Sequence, residues 1–222
     1  MVDWIHFVTS MVSASVAVLA GLAFVLAYME ERKRTRVMWG MAFILYAIGH
    51  LINSWLVFNE IPVTSPLGTF AMWVYVNFGG TGTVGLILFA TVPFLTKKSY
   101  AREIITMAYV IPYVVGTTMF AFFLPDNTPW AFFNPQEHVQ VNNMSWWVVV
   151  VLVPFVLVIG TVFLNHYRVT GQTWSVLIGV SFVLYAAILF IWPVPELKWL
   201  FYTLRTFSVT MLGAGGVLLA KE

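Results

Sequence analysis

The residues able to do chemistry are few, and they sit inside long apolar runs. Arg205 lies within the run from Leu197 to Ala220. A guanidinium offers five fixed donors and keeps its proton, so it suits a carboxylate, a phosphate or a carbonyl oxygen. No Asp or Glu lies clearly inside an apolar run. An unpaired charge in hydrocarbon is costly and marks a functional site by default. Tyr46, His50 and Asn53 follow one another at helical spacing and share one face of their run. His50 can donate, accept or titrate near neutral pH. Trp73, Asn77 and Thr81 form a similar stripe, and Tyr202 shares a face with Arg205.

Helical rise places these groups at similar depth. Arg205 falls roughly 12 Å and Asn77 roughly 13 Å below one membrane boundary. His50 and Asn53 fall roughly 20–24 Å above the other, in a core about 30 Å thick. The expectation is one pocket in the outer half, built from Arg205, His50, Asn53, Asn77, Tyr46, Tyr185, Tyr202 and Trp73. Donors beside flat aromatic walls fit a small anionic or amphipathic ligand. Each group also has a plainer use. Arg205 could snorkel to Glu196 or to lipid phosphates. His50, Asn53 and Asn77 could be interhelical hydrogen-bonding glue. No catalytic or metal-binding set is expected: the four histidines show no ligand spacing, and no nucleophile–base pair stands out.

The elements that must carry these residues follow from composition. The 222 residues are 60% hydrophobic and 9% charged, far below the roughly 25% of a soluble domain. The mean hydropathy is +0.88. There is no cysteine, which excludes disulfides, thiolate metal sites and cysteine nucleophiles. The first apolar run is a full span without a basic leader, so no cleavable signal is expected. Seven runs are long enough to cross a bilayer: about 4–29, 37–58, 68–95, 104–123, 145–165, 173–192 and 197–220. The fold class is thus an all-α integral membrane protein with one domain over residues 1–222. The expected partners are the lipid bilayer and a small-molecule ligand, with room for a membrane-protein partner or a second copy; no nucleic acid is expected.

Orientation follows from the basic residues. With the N-terminus outside, nine of the eleven Lys and Arg fall in inner loops or at the C-terminal end, among them Arg32, Lys33, Arg34 and Arg36. Outer segments hold only Lys198, against Asp3, Glu60, Asp126, Glu137 and Glu196. A multi-pass protein of the cell membrane, N-out and C-in, is expected.

Residues 21–47 align without a gap with residues 160–186. Gly21, Phe24, Tyr28, Gly40, Phe43, Leu45, Tyr46 and Ala47 match Gly160, Phe163, Tyr167, Gly179, Phe182, Leu184, Tyr185 and Ala186. This predicts two parallel three-helix repeats, about 4–95 and 145–220, joined by a linker helix at about 104–123. Such repeats often place a ligand between them near mid-membrane.

That plan, with Leu200, Phe201 and Leu204 ahead of Gly213 in the last span, resembles the microbial rhodopsins. Val209 occupies the place of the retinal-bearing lysine, and Arg205 stands where those proteins carry a counter-ion Asp. No retinal Schiff base is therefore expected. The paired halves and the charged loop after the first span also resemble seven-helix input modules of prokaryotic sensor kinases, and the duplication resembles that of sugar transporters. Size, duplication and Pro195-Glu196 give a weaker likeness to small lycopene cyclases, whose acidic pair is missing. The implied function is ligand binding as a sensor or accessory subunit. Alternatives are a small-solute transporter alternating between the repeats and a structural subunit of a membrane complex. The cofactor is open; a bound lipid or quinone-like molecule fits.

Overall fold

A computed structural model describes residues 3–62, 65–98, 100–123, 143–191 and 195–222. Among these, seven helices are long and apolar enough to cross a membrane: α1 (Trp4–Glu31), α2 (Arg34–Phe58), α3 (Pro66–Phe94), α4 (Tyr100–Phe123), α5 (Asn143–Thr170), α6 (Thr173–Ile191) and α7 (Lys198–Ala220). The expected loop from Leu124 to Asn143 lies outside the described residues except for Asn143, with which α5 begins; Trp192, the expected end of the sixth span, also lies outside them.

Local chemistry sets the ends. Asp3 caps α1 by accepting from the His6 amide. Arg32 in the left-handed region closes the same helix. Ser65 and Pro66 open α3. Gly171, at φ +72°, makes the turn between α5 and α6.

Each helix packs on its chain neighbours, and α7 returns to α1, so the bundle closes as a ring. The C-terminal half of α3 also reaches α5. Large apolar side chains such as Leu19, Leu26, Ile104 and Phe207 face outward, while His6, Ser10, Asn53 and Arg205 are buried. That inversion suits a hydrocarbon surrounding, where polar groups must find partners inside the protein.

Glycines let backbones approach where packing is closest. A Cβ on Gly49 of α2 would meet Gly79 Cα of α3 at 2.8 Å. Gly21 and Gly40 face each other across α1 and α2; Gly160 and Gly179 do so across α5 and α6. In α7, Gly213 faces Val16, Gly215 faces Ile178 and Gly216 faces the Phe43 ring.

α3 departs from regular geometry. Tyr75–Gly82 is a π-helical stretch, the segment that carries Gly79, Gly80 and Gly82. Stretches of this kind are rare and concentrate at functional sites. This one changes which side chains face which neighbour.

At one end of the bundle Lys198 forms an ion pair with Asp3. At the other, Arg36 bonds the Ala220 and Leu219 carbonyls and reaches Glu31 at 2.9 Å. A cation on the last carbonyls of a helix satisfies groups that have no intrahelical donor. It ties the α1–α2 turn to the end of α7.

Candidate functional site around Arg205

Arg205 is 2% exposed. Its Nη2 donates to Ser10 Oγ at 3.2 Å and its Nη1 to the Tyr75 hydroxyl at 3.3 Å. Its Nε is buried with no hydrogen-bond partner. The guanidinium carbon lies 5.1 Å from the Tyr202 ring centroid and 5.6 Å from that of Phe201. Among the described residues no carboxylate makes a salt bridge to it. The charge is thus held by hydroxyls and ring faces, which solvate it without neutralising it. Each ring contact contributes about 0.5–2 kcal/mol. The helix-centre cost of an arginine in a membrane is about 2.5–3.5 kcal/mol or more, so the two are of similar size.

A polar chain runs from this charge to the end of α1. Asn53 Nδ2 donates to Ser10 Oγ at 3.0 Å and meets His6 Nε2 at 2.7 Å. An amide nitrogen only donates, so Nε2 accepts and the His6 ring proton sits on Nδ1. Nδ1 faces the Tyr202 hydroxyl at 3.2 Å, and the two rings stack at 4.3 Å. One turn above, Asp3 holds both the helix cap and Lys198. Burial alone would raise the Asp3 carboxyl; the Lys198 and His6 hydrogen bonds and the Lys198 charge outweigh it and hold it below the usual carboxylate range.

His50 flanks the same charge. Its ring lies 4.3 Å from the Tyr46 ring and meets the Tyr75 ring edge-on at 5.3 Å. Its Nδ1 is buried without a partner. Three unpartnered polar atoms, Arg205 Nε, His50 Nδ1 and the Tyr46 hydroxyl, therefore occur around one un-neutralised cation. Buried orphans of this kind are rare and each costs about 1–3 kcal/mol. The arrangement can attract an anion or a carbonyl oxygen. It offers neither a nucleophile–base pair nor, among the described residues, a group of three metal-ligating side chains.

Comparison with models of protein families, with curated proteins and with solved structures finds no match to this chain. The residues alone therefore carry the functional reading. The structure brings Arg205, Tyr202, His50, Asn53 and Tyr46 together. The half-buried Tyr185 lies within electrostatic reach of the guanidinium, as do Tyr46 and Tyr75.

Trp73 and Asn77 go elsewhere. Trp73 Nε1 donates to Thr118 Oγ1 at 3.1 Å, and Asn77 Oδ1 accepts from Thr117 at 3.2 Å. Both partners are on α4, on the other side of α3 from Arg205. Tyr75 takes the position facing Arg205 instead. His6, Ser10 and Tyr75 belong to the cluster but were not among the residues singled out from the sequence. A signal for two of them exists: His6, Ser10 and Ser13 form a small polar stripe at helical spacing in an otherwise apolar span.

Proposed function

We propose that this protein binds a small anionic or amphipathic ligand inside the membrane at Arg205, as a sensor or accessory subunit. The single observation that carries the reading is a buried guanidinium with an unpartnered Nε and no carboxylate partner among the described residues. An anion 4 Å away gains about 4 kcal/mol at an effective dielectric of about 20. That corresponds to roughly three orders of magnitude in affinity, enough to select an anion over a neutral analogue. The orientation that goes with it is N-out: the end bearing Arg36, Lys33 and Lys221 is cytoplasmic by the positive-inside rule.

The test is solvent extraction of the purified protein followed by mass spectrometry. A carboxylate- or phosphate-bearing amphiphile at about one per chain in wild type, lost in Arg205→Ala, supports the reading. Equal recovery from both proteins contradicts it.

One observation favours a second reading, a small-solute transporter. The α1–α2 and α5–α6 hairpins both cross at glycine pairs, Gly21 with Gly40 and Gly160 with Gly179, at the same offset as the sequence match. Two equivalent hairpins that pivot on glycine fit alternating access between parallel repeats. Arg205-dependent uptake of a soluble anion into proteoliposomes would select this reading; binding without flux would select the sensor.

A further inference from the structure

A cavity of about 560 Å³ lies away from Arg205 between α2, α3 and α4. Its walls include Trp73, Phe78 and Phe89, and no charged side chain lines it. Two of its hydroxyls, Thr81 Oγ1 on α3 and Thr106 Oγ1 on α4, are buried without a hydrogen-bond partner. Thr81 is 2% exposed. The Tyr109 hydroxyl stands next to Thr81, but the two do not close a hydrogen bond.

These hydroxyls are unusual for this protein. Thr9, Thr91, Thr161, Thr203 and Thr210 each donate to the carbonyl four residues earlier in their own helix. That is how a threonine hides its hydroxyl from hydrocarbon. Thr81 lies in the π-helical stretch, whose wider turns shift the carbonyls it would otherwise reach. Gly85 of α3 packs on Thr106 and Val110, which puts Thr106 about one turn below Thr81 on the facing wall. An acyl chain filling the cavity would leave both hydroxyls unsatisfied, at about 1–3 kcal/mol each.

We propose that this groove is a binding site for a neutral, single-chain prenyl-quinone-type molecule, whose ring carbonyls accept from Thr81 and Thr106 while its chain follows the apolar wall. Three features select this class. Two hydroxyls on opposite walls match a ring with oxygens on opposite edges. The aromatic side chains suit a flat ring. The uncharged lining offers nothing to a phosphate headgroup. The site is independent of Arg205 and of the ligand assigned there.

The test uses full-length protein in phosphatidylcholine nanodiscs titrated with decylubiquinone, with quenching of tryptophan emission as the readout. Wild type should quench saturably at about one quinone per chain, and Trp73→Phe should reduce the amplitude. The isosteric Thr81→Val/Thr106→Val variant should bind about tenfold or more weakly. Thr81→Ser/Thr106→Ser should restore binding, and Thr210→Val, outside the groove, should match wild type. Thermal unfolding of each variant separates lost binding from lost fold. Quenching that never saturates, or that is equal in wild type and the double valine variant, overturns the proposal and leaves ordinary lipid chains as the occupant.

Discussion

Arg205 on α7 donates to Ser10 on α1 at 3.2 Å, joining residues 195 positions apart in the chain. The same oxygen accepts from Asn53 on α2 at 3.0 Å. One serine thus links three helices and supplies one of the two hydrogen bonds of a buried cation. Cutting this link should cost more than an ordinary serine. Ser10→Ala removes the acceptor of Arg205 Nη2 and one of the two acceptors of Asn53 Nδ2, a penalty of about 1–3 kcal/mol. At about 2–4 °C per kcal/mol for a chain of this size, the melting temperature should fall by several degrees. An unchanged melting temperature would mean that Ser10 does not hold the guanidinium.

The two glycine crossings should respond differently to the same substitution. A Cβ on Gly179 would stand 2.8 Å from Leu164 Cγ, 2.9 Å from its backbone nitrogen and 3.0 Å from Gly160 O. A Cβ on Gly40 meets nothing closer than 3.4 Å. Gly179→Ala should therefore destabilise by about 1–3 kcal/mol, as overpacking does. Gly40→Ala should be neutral or gain up to about 1 kcal/mol from helix propensity. Thermal unfolding in detergent distinguishes them, and equal effects would contradict the packing described.

Acid should loosen the end of the bundle that holds Asp3 and Lys198. The Asp3 carboxyl is held below its usual range by Lys198 and the His6 amide. Its contribution is complete above the unfolded carboxylate value, near pH 4, and is lost as pH falls through the lower folded value. Asp3→Asn keeps a capping side chain but loses the ion pair with Lys198. Its melting temperature should therefore fall less than that of wild type between pH 5 and pH 3. Parallel falls would show that the pair contributes nothing.

The spans were legible because each is a continuous apolar run. The expected bounds differ from the helices mainly at the ends rich in basic residues, where α2 begins at Arg34 rather than Val37 and α5 continues to Thr170 rather than Asn165. Polar and charged residues can extend a helix beyond the hydrocarbon, and hydropathy does not register them. Tyr46, His50 and Asn53 were legible as one face because α2 is regular. α3 was not, because periodicity counts 3.6 residues per turn and Tyr75–Gly82 winds wider. The stripe of Trp73, Asn77 and Thr81 is real, but it faces α4 and the groove. Ser10 and His6 escaped because a serine and a histidine near a helix start look like end residues until a partner across the bundle is known.

The most direct test is the stabilisation of wild type, Arg205→Lys and Arg205→Ala by oleate, with oleyl alcohol as the uncharged control. At about 100 times the dissociation constant a ligand adds about 2.7 kcal/mol. Wild type should therefore gain about 5–10 °C with oleate. The gain should shrink in Arg205→Lys, vanish in Arg205→Ala and be small for the alcohol. An oleate shift of the same size in Arg205→Ala, with its fold intact, would contradict anion recognition by Arg205.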